Sequence, residues 1–167
     1  MTAEEIEKYL GELNDELCAA NVKGEVCLYG GAVMCLAFKS RPATKDVDAI
    51  FEPVREIRRA SMKVAERNGL PVDWLNLAVK MFVVKHEKQV LFDFPCLKVF
   101  IPESDYLLAM KVLAARADTA DLGDIRFLAN SLNLTKVEEV LKIVQNYYPE
   151  KEVKPAAIFA LEELFGK

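Results

Sequence analysis

Two aspartates, Asp46 and Asp48, stand two residues apart ahead of the wholly apolar run Ala49-Ile50-Phe51. In an extended strand successive side chains alternate between faces, so the pair projects side by side from one face at the rim of a core strand. Paired carboxylates in that arrangement are hard oxygen ligands for divalent cations that also hold phosphates, and magnesium suits them. Upstream, Gly30-Gly31 follows the short apolar segment Glu25 to Tyr29. The backbone N–H groups of a glycine turn approach phosphate oxygens closely, and a helix that begins there adds a favourable N-terminal dipole. A glycine pair alone is more often just a tight turn, and Asp-x-Asp alone a solvated strand face. Together they are a far more specific signal, of phosphate and metal sharing one corner.

The surrounding chain supplies elements to position that corner. Thr2-x-x-Glu5 fits a capping box, and Ile6, Leu10, Leu13 and Leu17 recur at helical spacing, so residues 3 to about 20 read as an amphipathic helix stopped by Asn21 and Gly24. Glu25 to Tyr29 reads as a strand, Gly30-Gly31 as a turn, and Ala32 to Phe38 as a helix packed on the sheet. Lys39 to Lys45 is a polar loop leading into the strand Asp46 to Phe51. Pro53 opens a helix to about Asn68, stopped by Gly69, and Asp73 to Lys80 fits a further short helix. Met81-Val84, Gln89-Phe94 and Leu97-Ile101 add two or three strands, and Pro102 ends the region. Beyond it, Glu103 to Ala117, Thr119 to Ser131, Thr135 to Tyr147 (opened by the capping box Thr135-x-x-Glu138) and Pro155 to Phe165 read as helices. The predicted class is α+β: a core over residues 1–102, built on a small mixed sheet flanked by helices, then a helical C-terminal part over 103–167.

Composition narrows the class of protein. With 167 residues, 52% hydrophobic and 29% charged, the chain reads as one soluble globular unit or a core with an appendage. A formal net charge of -4 argues against a surface built wholly for nucleic acid. Cys18, Cys27, Cys35 and Cys96 form no C-x-x-C pair, and with His86 as the one histidine there is no zinc spacing, so four reduced, mostly buried thiols are expected. His86, in the turn-like Lys85-His86-Glu87-Lys88, is the one candidate base for a catalytic cysteine and is poorly placed for it. The acidic N-terminus lacks the basic flank and apolar stretch of a signal peptide, and Val26 to Phe38 is too short to span a bilayer. A cytoplasmic protein without a membrane partner is expected.

The stretch Leu28-Tyr29-Gly30-Gly31, followed after a helix and loop by Arg41-Pro42-Ala43-Thr44-Lys45-Asp46-Val47-Asp48, resembles the signature of the DNA polymerase β-like nucleotidyltransferase superfamily. It is similar in particular to a branch of small bacterial members related to type IV abortive-infection toxins, in which a glycine pair, a helix, an Arg-x-x-Thr loop and a D-x-D strand follow in this order. A second segment, Tyr106 to Arg116 followed by Asp118, Asp121, Asp124 and Ile125, resembles the helical K…R…D-x-x-D-I element of the same branch, and Leu70 to Asn76 resembles it too. The resemblance implies a nucleotidyltransferase-type sheet and a two-metal, magnesium-dependent transfer of a nucleotidyl group from a nucleoside triphosphate to an acceptor, with release of pyrophosphate. It implies that Gly30 and Gly31 contact the triphosphate, with Thr44 beside them, and that Asp46 and Asp48 hold the metals.

Other residues carry two readings each. Lys111 is a candidate phosphate ligand or a surface lysine. Arg116, Asp121 and Asp124 belong to the site or form helix-surface ion pairs, the structural reading being favoured. Full members of the superfamily complete the metal site with a third carboxylate on a later strand, and Asp93 in Leu91-Phe92-Asp93-Phe94 is the candidate, although Pro95 follows at once. Trp74 is read as core, with stacking on a base as the alternative, and Asn76 as a further site candidate. Arg55, Arg59, Lys63 and Arg67 recur every four residues as a basic stripe, which is a solvated face or a track for the phosphates of an RNA acceptor such as tRNA. The acceptor is unidentified, RNA and protein both being candidates, and a toxin-like member would have a cognate partner protein. The alternative function is a nucleotidyltransferase fold retained for binding or regulation without turnover.

Overall fold

In the computed structural model, residues 1–116 and 119–166 are described, so Ala117, Asp118 and Lys167 lie outside the described residues, and with them the reading of Asp118 as part of the second motif. The chain divides into two compact units, Met1–Val83 with Lys88–Pro102, and Val84–Glu87 with Glu103–Lys167.

The first unit opens with α1 (Ala3–Ala19). The Thr2 hydroxyl accepts from the Glu5 N–H at 3.2 Å while the Glu5 carboxylate accepts from the Thr2 N–H at 2.9 Å, the reciprocal cap that the spacing predicts. Ile6, Leu10, Leu13 and Leu17 are all buried on its inner face. Then come β1 (Gly24–Leu28), α2 (Gly30–Leu36), β2 (Val47–Glu52), α3 (Val54–Asn68), β3 (Leu75–Asn76), a 3-10 turn (Ala78–Met81), β4 (Lys88–Asp93) and β5 (Leu97–Pro102). The strands form one sheet in the order β3-β2-β1-β5-β4. β1 pairs antiparallel with β2 and parallel with β5, β3 runs parallel to β2, and β4 closes the far edge antiparallel to β5. The mixed sheet with helices, followed by a helical part, is the α+β class read from the sequence.

Strand period sorts the side chains of β2. Val47, Ala49 and Phe51 are buried, while Asp48, Ile50 and Glu52 face the other way and are less covered. The apolar face lies under α3: a β-carbon on Gly24 would stand 2.8 Å from Ile57 Cδ1, so glycine lets that helix approach β1 closely. Residues 73–84 depart from expectation. In place of a helix and then a strand, Asp73 to Lys80 gives the two-residue β3 and the start of the 3-10 turn, and Met81-Val84 is not a strand. The local cause is Asn76, whose Oδ1 accepts the Ala78 N–H at 3.0 Å and starts the turn.

Cys18 and Cys96 are joined by a disulfide, with Cα atoms 5.5 Å apart and 78 residues of separation, which corrects the expectation of four reduced thiols. Cys27 and Cys35 are free and buried, and burial pushes the Cys27 thiol above its ordinary value. The bridge ties the end of α1 to the β4–β5 turn, where the buried Asn14 also accepts the Cys96 N–H at 2.8 Å.

The second unit holds α4 (Ser104–Ala114), α5 (Thr119–Ser131), α6 (Val137–Tyr147) and α7 (Pro155–Phe165), with α4 packed on α5 and α6. Val84–Glu87 belongs here because the Val84 N–H donates to the Tyr106 hydroxyl at 3.1 Å and the His86 ring stacks on Tyr106 at 4.1 Å. The Tyr106 and Tyr148 hydroxyls are 2.7 Å apart. The second capping box forms one residue later than expected: Glu139, not Glu138, reaches back, its Oε2 accepting from the Thr135 and Lys136 N–H groups at 2.9 and 3.3 Å. Among the described residues no helix is long and apolar enough to cross a membrane.

Candidate functional site

The end of β1 and the start of β2 lie side by side, the Tyr29 N–H donating to the Asp48 carbonyl at 2.9 Å. Directly after Tyr29 the chain turns on Gly30, whose φ of 62° lies in the left-handed region that glycine adopts without penalty. A β-carbon on Gly30 would stand 3.4 Å from Asp48 Oδ2, so the carboxylate overhangs the turn. Gly31 is tighter. A β-carbon there would be 2.5 Å from Thr44 Oγ1 and 2.9 Å from Arg41 Nη1, so any other residue would force those two side chains to shift. The Thr44 hydroxyl donates to the Asp46 carbonyl at 3.3 Å, and the Thr44 N–H donates to the Met1 carbonyl at 2.9 Å, so the start of the chain braces this loop. Gly30, Gly31, Thr44, Asp46 and Asp48 thus meet in one corner of the first unit. Arg41 joins them, its place in the sequence marked only by the Arg-x-x-Thr spacing.

Asp48 is half-buried inside β2, while Asp46 is exposed and immediately precedes the strand. The donor chemistry fits magnesium, which is ordinarily held by one or two carboxylates together with substrate phosphates and water. Among the described residues no group of three His, Cys, Asp or Glu side chains is arranged to hold a metal. A cation bound by Asp46 and Asp48 would therefore complete its coordination from phosphate and solvent.

Asp93 does not join this pair. Cross-strand register puts it in one row with Lys98, Glu25 and Glu52, at the end of β2 opposite Asp48. Four residues along β2 and three strand spacings across the sheet separate the two aspartates by on the order of 20 Å. Carboxylates that share metal ions a few Å apart cannot be so distant, so the expectation that Asp93 completes the metal site is corrected. Asp93 instead lines a cleft of about 740 Å³ at that far end, beside Lys23, Glu25, Glu52 and Lys98. The cleft mixes both signs of charge and lies away from the glycine corner, and the chemistry of the corner outweighs the size of the cleft. The residue directly opposite Asp48 on a neighbouring strand is Asn76 of β3.

Lys111 belongs to the second unit, where its ammonium lies 2.8 Å from Asp124 and 3.7 Å from Asp121. Lys111 and Asp124 are both largely buried, so this is an internal ion pair and Lys111 is not a surface lysine. The Arg116 N–H reaches Asp121 Oδ2 at 3.4 Å. Trp74 is a core residue: it is 1% exposed, its indole N–H donates to the Ser61 carbonyl at 3.0 Å, and its ring packs edge-on against Tyr9. The basic stripe of α3 is partly consumed by α1. Arg67 binds Glu12 at 2.8 Å and Glu16 at 2.5 Å, Lys63 lies 3.7 Å from Glu16, and Arg55 and Arg59 remain exposed. Burial raises the Glu12 carboxyl, but its hydrogen bonds to Arg67 and Asn68 outweigh this and hold it below the usual range.

No family model, no curated protein and no solved structure matches the chain.

Proposed function

We propose that the chain binds a nucleoside triphosphate at the Gly30-Gly31 corner with magnesium on Asp46 and Asp48, and transfers its nucleotidyl group to an acceptor. The observation that carries this reading is the convergence of the glycine turn, the Thr44 hydroxyl and the Asp48 carboxylate, from three separate segments, with Thr44 and Arg41 packed closely on Gly31. The N–H groups of a turn without side chains can be approached closely, which phosphate oxygens require. Magnesium there would neutralise charge on the phosphates and on the leaving group. In the transfer, an acceptor oxygen bonds to the α-phosphorus, the α–β anhydride bond breaks, the acceptor proton passes to solvent or a base, and pyrophosphate leaves. The motif order, Gly30-Gly31 then Arg41-x-x-Thr44 then Asp46-x-Asp48, supports the same reading, and the toxin-related resemblance adds a cognate partner protein to the proposal. An RNA acceptor draws support from Arg55 and Arg59 alone, because Lys63 and Arg67 face carboxylates of α1.

A second reading, binding without turnover, is favoured by the remoteness of Asp93, which leaves two carboxylates where full members of the superfamily use three. Pyrophosphate release separates the two. Magnesium-dependent release that disappears in Asp48→Asn supports the transferase; triphosphate binding without release, across candidate RNA and protein acceptors, supports the second reading.

A further inference from the structure

Between α3 and the loop that follows it lies a groove of about 530 Å³, lined by the apolar Met62, Leu70 and Val72 together with Arg59, Lys63 and Glu66. Met62 is 51% exposed and Val72 67%, so two apolar side chains stand open to solvent in one depression. The loop is fastened to α3 on both sides of Val72: the Leu70 N–H donates to the Ala65 carbonyl at 2.9 Å, the Trp74 N–H to the Pro71 carbonyl at 3.1 Å, and the buried Trp74 indole to the Ser61 carbonyl at 3.0 Å. Helical spacing puts Arg55, Arg58, Arg59 and Met62 on one stripe of α3. Toward the end of the helix Lys63 and Arg67 face Glu12 and Glu16 of α1. Arg55, Arg58 and Arg59 are exposed, and among the described residues no carboxylate lies within ion-pair distance of them. Arg55 stands in the first turn, where a cation opposes the helix dipole, so the helix itself gains nothing from it.

We propose that this surface docks a partner protein through a short amphipathic helix, acidic toward Arg55, Arg58 and Arg59 and apolar toward the groove between Met62 and Val72, independently of the nucleotide reading of the glycine corner. Arginine and methionine are both enriched in protein interfaces, and an open apolar depression beside unpaired charge of one sign is complemented by the opposite charge around an apolar anchor. With a formal net charge of -4 the rest of the surface repels an acidic segment on average, so the stripe also orients it. Arg55 to Glu66 spans about 16 Å of α3, roughly three turns of a partner helix laid into the groove. RNA is the poorer occupant: Lys63 and Arg67 are already engaged, and among the described residues no aromatic side chain lines the groove for a base to stack on.

The test is fluorescence anisotropy of a labelled synthetic helical peptide, about 15 residues long, with leucines on one face and glutamates flanking them, titrated with the full chain. The comparison probes are a peptide of the same composition with its leucines scattered round the helix, and tRNA. The patterned peptide should bind saturably, more tightly than the scattered one, and more weakly as salt rises. Arg58→Glu/Arg59→Glu and Met62→Asp should each weaken it by about fivefold to thirtyfold. Both variants should melt as the wild type does, because all three residues are exposed. A peptide with lysines in place of the glutamates should bind Arg58→Glu/Arg59→Glu better than the wild type. No saturable binding of the patterned peptide, equal binding of the scattered one, or binding that both variants leave unchanged would overturn the docking surface. Tighter binding of tRNA that depends on Arg58 and Arg59 would assign the stripe to an RNA acceptor, against the proposal.

Discussion

Replacing Cys96 by serine opens a covalent loop that spans 78 residues of sequence separation. In the chain-entropy treatment, closing a loop of that length removes about 15 cal/mol/K from the unfolded ensemble, or about 4.5 kcal/mol at 25 °C. The hydrogen bond from the residue-96 backbone N–H to Asn14 survives the substitution, so native packing at the β4–β5 turn is largely kept. Measured bridges often deliver less than the entropic figure, and the expected loss is about 3–4 kcal/mol. Cys18 is exposed, so a soluble dithiol reaches the bridge: the dithiol is oxidised to its cyclic disulfide and the two cysteines are reduced to thiols. In urea unfolding, wild type treated with dithiothreitol and Cys96→Ser should share one lowered midpoint, and the reductant should leave the variant unmoved. Thiol titration of the denatured, unreduced chain should find two thiols, from Cys27 and Cys35. Four thiols, or a midpoint that neither treatment shifts, would refute the reasoning.

Gly31→Ala forces a β-carbon to within 2.5 Å of Thr44 Oγ1 and should displace the Thr44 loop, abolishing triphosphate binding at a cost of about 1–3 kcal/mol in stability, checked by calorimetry and thermal melting. Lys111→Ala removes the ammonium that lies 2.8 Å from the buried Asp124 carboxylate and should lower stability by about 3 kcal/mol in thermal melting, whereas a phosphate ligand would show as weaker triphosphate binding at unchanged stability. Burial, then the hydrogen bond to Asp105, raises the Tyr147 hydroxyl to about 12, and burial with the Tyr106 hydrogen bond raises Tyr148 further. Both groups hold their protons more tightly when folded, so their contribution is complete below the ordinary tyrosine value of 10.0; that of Tyr147 is lost as pH rises through about 12, and that of Tyr148 persists to higher pH. Melting followed by tyrosine absorbance should show stability falling above pH 10, and Tyr147→Phe should reduce the slope.

Local periodicity made much of the first unit legible. The Thr2 cap and the stripe Ile6, Leu10, Leu13 and Leu17 depend on neighbours within a turn or two, and they fold as spaced. The same holds for β2, where alternation separates Asp48 from Val47 and Ala49. Asp93 shows where that kind of reading stops: its strand is visible in the pattern, but its distance from Asp48 depends on strand order and register across β5 and β1, which no local pattern encodes. The Cys18–Cys96 pairing is likewise a long-range fact, and four cysteines by themselves allow several partners. Lys111 was visible as a cation on a helix, but Asp124, thirteen positions on and in the next helix, decides what it does. In residues 73–84 the Ala78 N–H bonds to Asn76 and the Lys80 and Phe82 N–H groups bond back to Leu77 and Val79, local closures of a 3-10 turn that the apolar and β-branched pattern does not display. The glycine corner was legible as a motif, whereas the closeness of Arg41 and Thr44 to Gly31 emerges only from the folded loop.

The most direct test of the central claim is calorimetric titration of the chain with each of the four ribonucleoside triphosphates, with and without magnesium, beside an Asp46→Asn/Asp48→Asn double variant. Saturable binding that requires magnesium and vanishes in the double variant is the predicted result. Absence of binding by the wild type, or binding that ignores both magnesium and the two aspartates, would contradict the account.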